Sequence, residues 1–175
     1  MNKKYIITGA PGTGKTAIIN CLKKQGFSCS NEISREIITE QIASGGDVLP
    51  WKNLDAFSKR VATMRKIQYE NATDNNIHFF DRGIIDVIAY MKIDKIDIDK
   101  NLIEDCKKTK YANIVFYTPI WEEIYINDTE RKEDIISAIK VEETLLSCYK
   151  SFGYTLIEIP KLAIAQRVDF ILSKT

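Results

Sequence analysis

Residues 9–16 read Gly-Ala-Pro-Gly-Thr-Gly-Lys-Thr. The small, turn-forming residues Gly9, Ala10, Pro11, Gly12, Thr13 and Gly14 let successive backbone N–H groups curl around an anion. A helix starting at their end would add its positive pole at the same point. Lys15 supplies a mobile ammonium for the β- and γ-phosphates, and Thr16 supplies a hydroxyl for Mg²⁺. An ordinary Gly-rich turn is the plain alternative. Context favours the phosphate loop: the apolar run Tyr5-Ile6-Ile7-Thr8 precedes it as a strand, and Thr16 to Lys24 follows with helical character. The pattern implies a nucleoside triphosphate, ATP or GTP.

A second group of residues follows from a second apolar run. Ile77-His78-Phe79-Phe80 ends in Asp81-Arg82-Gly83. A carboxylate at the end of such a strand suits a Mg²⁺ ligand acting through water, or a group that takes a hydroxyl proton. A mechanochemical ATPase usually has a glutamate in the next place to activate water. Here that place holds Arg82, whose planar fork suits an acceptor group or a moving phosphoryl. A structural ion pair is the alternative for either residue. Glu32, three residues before Arg35, is either a general base toward a substrate hydroxyl or a helix-terminal charge. Asp86 and Tyr90, four apart, share a helix face and either line an acceptor pocket or sit at a solvated helix start. In the polar stretch 127–132, Arg131 is the candidate for a charge that closes onto the phosphoryl, with Lys132 second; a solvated charge run is the alternative.

These residues have to be brought together by the elements between them. Strands are expected at 4–8, 27–30, 77–81, 113–117 and 154–159, alternating with segments of helical period, which is how a parallel α/β sheet reads. Leu54, Phe57, Val61 and Met64 form one apolar stripe, and Ile135, Ile139, Leu146 and Tyr149 another. Ser34 suits a helix start, Gly45-Gly46 its end, and a closing helix is expected over 163–172. Each candidate residue falls at or just past the C-terminal end of an expected strand. In an open parallel sheet those ends face one crevice.

Composition narrows the class. The 175 residues are 45% hydrophobic, enough for one domain over 1–175 with its own core. A net charge of +1 gives no electrostatic case for nucleic acid or an anionic membrane. No apolar stretch approaches the roughly 20 residues a membrane span needs, and Met-Asn-Lys-Lys leads directly into the first strand without a signal-peptide pattern. Four scattered cysteines without a Cys-x-x-Cys pair suit a reduced, cytoplasmic protein. No His/Cys cluster suggests zinc, which leaves Mg²⁺ held by Thr16, Asp81 and the nucleotide. There is no Asn-Lys-x-Asp base-reading element, which disfavours a regulatory GTPase.

Taken with Leu49-Pro50-Trp51, Phe79-Phe80-Asp81-Arg82-Gly83 with Asp86, Tyr117-Thr118-Pro119 and the Trp121…Tyr125…Asp128…Arg131 stretch, the sequence resembles the small P-loop family typified by the nicotinamide-riboside kinase domain of NadR, often labelled an AAA-type ATPase domain. The resemblance implies a three-layer, nucleoside/nucleotide-kinase-like α/β fold with a five-stranded parallel sheet ordered 2-3-1-4-5. It also implies a helical acceptor region at about 50–75, a lid at about 122–134, and Asp81-Arg82 on the acceptor side. The leading expectation is a Mg²⁺-dependent phosphotransferase in which Lys15, Mg²⁺ and Arg131 neutralise the phosphoryl group. In it Glu32 or Asp81 orients a small-molecule acceptor such as a nucleoside or nucleotide, and Arg35, Arg82, Asp86 and Tyr90 surround it. The competing expectations are a slowly hydrolysing nucleotide-dependent module with a protein partner, and a dedicated hydrolase. Oligomeric state is left open.

Overall fold

Neighbouring residues of the central strands are buried on opposite faces, so this sheet must be covered on both sides. In the computed structural model, which describes residues 3–72, 76–125 and 135–175, the strands are β1 (Lys4–Thr8), β2 (Ser28–Ser30), β3 (His78–Asp81), β4 (Ile114–Tyr117) and β5 (Thr155–Glu158). All pairings are parallel and the order is β2-β3-β1-β4-β5, as the family resemblance implied. Ile6 aligns with Phe80 and Val115, and all three join one core. Ile7, Phe79 and Phe116 join the other. Continuous apolar runs, rather than alternation, are what a doubly covered parallel sheet requires.

Helices fill the two outer layers. On the face of Ile7 lie α1 (Lys15–Lys24) and α8 (Ile164–Leu172), which contribute Ile18, Ile19, Leu22, Val168 and Ile171. On the face of Ile6 lie α2 (Ile33–Ser44), α3 (Leu54–Asn71), α4 (Ile84–Ile93), α5 (Lys100–Lys108) and α7 (Ile135–Ser151), and the short α6 spans Glu122–Tyr125. α2 stops at Gly45, in the left-handed region at φ 69°. α3 starts at Asn53, whose side chain accepts the Ala56 N–H at 3.1 Å. α4 is apolar almost all round and is sandwiched by α3 and α7.

One expectation needs correction. The buried face of α7 is Ala138, Val141, Leu145, Cys148 and Tyr149, whereas Ile135 and Ile139 are 36% and 44% exposed and Leu146 is only half-buried. α7 packs closely on α4, and close packing selects small residues such as Ala138 and Cys148. Of the expected stripe Tyr149 lies on the buried face, whereas Ile135 and Ile139 do not. All four cysteines are free. Among the described residues no helix is long and apolar enough to cross a membrane.

Candidate functional site

The link between β1 and α1 is the Gly9–Thr16 loop, and its backbone is held from several sides. Gly9 has φ 140°, and a Cβ there would stand 2.4 Å from Thr118 Oγ1 and 2.6 Å from its carbonyl oxygen. Only glycine fits so close to the end of β4. The Thr13 hydroxyl donates to the Ala10 carbonyl at 2.8 Å and lies 2.6 Å from the Thr118 hydroxyl. Lys15 is buried, and its Nζ donates to the carbonyls of Gly9 at 3.0 Å and Ala10 at 2.6 Å. Burial pushes this ammonium down to about 7; Arg82 repels it further, and Asp81, Glu32 and Asp86 oppose the shift. Thr16 is exposed and lines the adjoining cavity.

β3 delivers the second group. Asp81 is 3% exposed, and its Oδ1 has no hydrogen-bond partner among the described residues. Burial raises its carboxyl above the ordinary value, with Lys15 pulling down and Glu32 adding to the rise. Arg82 adopts φ 72°, a left-handed turn that few non-glycine residues take. Its Nε donates to Glu32 Oε1 at 3.1 Å, its Nη1 to Asp86 Oδ1 at 3.2 Å, and its guanidinium lies 5.5 Å from the Tyr90 ring centre.

Glu32 occupies the N-terminal cap of α2 but makes no capping bond. Its carboxylate turns instead to Arg82 and to Arg35 Nε, 3.2 Å away. Burial alone would raise its pKa, yet Arg82, Lys15, Arg65 and Arg35 outweigh that and bring it below the ordinary value.

Asp86 is not a solvated helix-start charge. It is 1% exposed and accepts four hydrogen bonds: Thr8 Oγ1 at 2.7 Å, Gly83 N–H at 2.9 Å, Tyr149 Oη at 2.5 Å, and Arg82. Burial would raise its pKa, but Arg65 and Arg82, with the bonds from Tyr149 and Thr8, outweigh it and hold the carboxyl below the usual range.

A cavity of about 560 Å³ joins the two groups. It is walled by Gly12, Gly14, Lys15 and Thr16 of the loop, by the charged Glu32, Arg35, Arg82 and Asp86, and by Ile38, Leu54, Phe57, Val61, Val87 and Tyr90. The chain thus brings residues from the ends of β1, β2 and β3 into one crevice. Arg131 and Lys132 lie outside the described residues, as does most of the stretch at 122–134 expected to form a lid.

A family model described as an AAA domain matches residues 4–167. The chain belongs to this AAA-domain family. No curated protein matches its sequence. Among solved structures, this AAA domain is similar to deoxyadenosine kinase from M. mycoides, with TM-score 0.64 and 22% identity over 98% of this chain and 97% of that one. It is similar to NadR in complex with NR, with TM-score 0.69 and 19% identity over 98% of this chain and 51% of NadR, so it spans about half of NadR's length. It is also similar to shikimate kinase from Acinetobacter baumannii, with TM-score 0.55 and 17% identity over 99% and 93%. At these identities the likeness establishes a shared P-loop kinase fold.

Two arginines of the AAA domain escape a reading of the sequence. Arg65 on α3 is 3% exposed, lines the cavity and donates to the Gly83 carbonyl at 2.8 Å, and its Nε has no partner among the described residues. It sits in a charge-rich run, where a solvated cation is the usual outcome. The available signal was spacing, because Arg65 continues the Phe57–Val61 stripe by four residues. Arg167 on α8 is equally buried, and no local pattern marks it.

Proposed function

We propose that the chain is a Mg²⁺-dependent phosphotransferase that moves the γ-phosphoryl group of ATP to a hydroxyl of a small, ring-bearing metabolite, such as a nucleoside. The observation that carries this reading is Glu32. A carboxylate held by two arginines stands in the same cavity as the phosphate loop, between the phosphate end and an apolar pocket. In the transfer, the acceptor oxygen bonds to the γ-phosphorus, the bond from that phosphorus to the β,γ-bridging oxygen breaks, and the acceptor proton passes to Glu32. The depressed pKa of Glu32 keeps it ionised and able to accept a hydroxyl hydrogen bond at neutral pH. A loose, metaphosphate-like transition state asks for orientation more than for a strong base.

The charge arrangement favours a hydroxyl acceptor over a phosphate monoester. Arg82 and Arg35 are already paired with Glu32, and a second anion beside that carboxylate would meet repulsion. The lone pairs of Asp86 are taken by its four donors, so it fixes Arg82 in place and does not itself bind substrate. The aromatic and aliphatic far wall suits a flat ring, and the cavity size suits a small molecule.

Mg²⁺ fits the residues present. Asp81 offers an oxygen without a hydrogen-bond partner among the described residues, and Thr16 lines the cavity with a hydroxyl, both suited to a hard cation. Bound there with the nucleotide, the ion would neutralise charge on the β- and γ-oxygens.

The test is a metabolite panel with Mg·ATP, read by mass shift of the acceptor. One acceptor should gain a phosphoryl group. Glu32→Gln should then lower turnover about 10²- to 10⁴-fold with Mg·ATP affinity intact. ADP release with no phosphorylated product across the panel, or full turnover in Glu32→Gln, would overturn the proposal.

A further inference from the structure

Thr13 is fastened to two parts of the chain outside its own loop. Its side chain is tied to the end of β4 through Thr118, and its carbonyl accepts Arg167 Nη2 at 3.2 Å from 154 residues further along the chain. Arg167 is 3% exposed, and its Nε has no hydrogen-bond partner among the described residues. Burial lowers its pKa, and no carboxylate among the described residues offsets that effect. Arg82 and Lys15 differ, since each lies among Glu32, Asp81 and Asp86. A buried guanidinium without a counter-charge is costly unless an anion arrives. The adjacent segment is the one built to cradle anions.

The peptide linking Thr13 to Gly14 is trans, so its C=O and N–H point in opposite directions. Drawing the Thr13 carbonyl toward α8 therefore turns the Gly14 N–H away from α8, and Gly14 lines the cavity. We propose that Arg167 is a positioning residue for triphosphate binding: it orients the Thr13–Gly14 peptide so that the Gly14 N–H meets a phosphate oxygen. This rests on the proposed nucleotide binding and assigns the last helix a part in it. The group recognised is the polyphosphate, not the base.

The experiment measures calorimetric Kd values for Mg·ATP and for Mg·tripolyphosphate, which has no base, on wild type, Arg167→Gln and Arg167→Lys. Arg167→Gln should weaken both ligands by about tenfold or more, the range for losing a charged hydrogen bond. Arg167→Lys, which keeps the charge but not the fork, should weaken both by a smaller factor of about three or more. A structural role alone would lower the melting temperature and leave both Kd values in place. A folded Arg167→Gln within twofold of wild type for either ligand overturns the inference. So does a loss confined to ATP, which would place Arg167 at the base. Should Arg167→Gln fail to fold, an unchanged tripolyphosphate Kd in Arg167→Lys overturns it equally. Wild type that binds neither ligand would instead sink the nucleotide-binding proposal itself, and this inference with it.

Discussion

Lys15 offers a measurement that isolates one atom of the site. Its ammonium is buried against two backbone carbonyls and repelled by Arg82, which pushes its pKa from 10.5 down to about 7. Between those values the unfolded chain carries a proton that the folded chain has lost, so this group makes stability rise with pH from about 7 to about 10.5. Phosphate oxygens brought beside Nζ favour the charged form and restore the ordinary range. Binding of Mg·ATP must then take up a proton. A group titrating near 7 is unprotonated in about 0.1 of molecules at pH 6, about half at pH 7 and about 0.9 at pH 8, and uptake follows those fractions. By the same linkage, affinity should fall about tenfold per pH unit above pH 8 until the pKa of the bound state is reached. Calorimetry in two buffers of different ionisation enthalpy yields the proton count directly. Work at pH 8 keeps the titration of the γ-phosphate itself out of the measurement. Lys15→Arg, permanently charged, should bind without uptake to whatever extent it binds. Tight binding by wild type at pH 8 with no proton taken up would refute the assignment of a depressed pKa, and with it the view that the loop holds its lysine in a destabilised charge state.

Two further outcomes test the support behind the site. Tyr149→Phe removes one of the four donors to Asp86 and should cost about 1.5–3 kcal/mol by urea denaturation at neutral pH. Because the pKa of Asp86 is depressed in the folded state, its contribution is present above the ordinary carboxylate range and is lost as pH falls through the folded-state value. The gap between Tyr149→Phe and wild type should therefore shrink in acid. Gly83→Ala would place a Cβ 2.5 Å from Ile6 Cδ1 and 2.8 Å from Tyr149 Oη, both buried, and should lose about 1–3 kcal/mol; a loss under about 0.5 kcal/mol would show that this packing gives way easily.

The sheet and the phosphate loop were legible in the sequence for a shared reason. Both are written locally: the loop in eight consecutive residues, the strands in short apolar runs ending in Thr8, Asp81 and Tyr117. The rule that parallel strand ends share a crevice then brings Glu32, Asp81 and Arg82 to the loop without further information. What stayed hidden depends on helix faces. The choice of Ala138 and Cys148 over Ile135 and Ile139 is made by how closely α7 approaches α4, which a list of large apolar residues does not contain. Arg65 and Arg167 look like any surface cation until their partners, the carbonyls of Gly83 and Thr13, are known to lie under them. The state of Asp86 was open for the same reason, since Thr8 and Tyr149, which satisfy it, are 78 and 63 residues away.

The two ends of the cavity differ in how their buried charges are met, and the difference bears on what should bind first. Beside the apolar wall, Glu32, Arg82 and Asp86 form a connected chain of ion pairs and hydrogen bonds contributed by the start of α2, the turn after β3 and α4. Such a set is complete in itself and gives a substrate a fixed surface to dock on. Around the Gly9–Thr16 loop three groups are less well met: Lys15 is driven toward losing its proton, and Arg167 Nε and Asp81 Oδ1 have no hydrogen-bond partner among the described residues. Buried polar groups in that condition are destabilising. A nucleotide–Mg²⁺ complex would bring phosphate oxygens to Lys15 and a cation to Asp81. An uncharged acceptor carries neither. Free energy stored as unmet charge favours the nucleotide, so the phosphate end is where binding has the most to gain and where the chain's affinity should be concentrated.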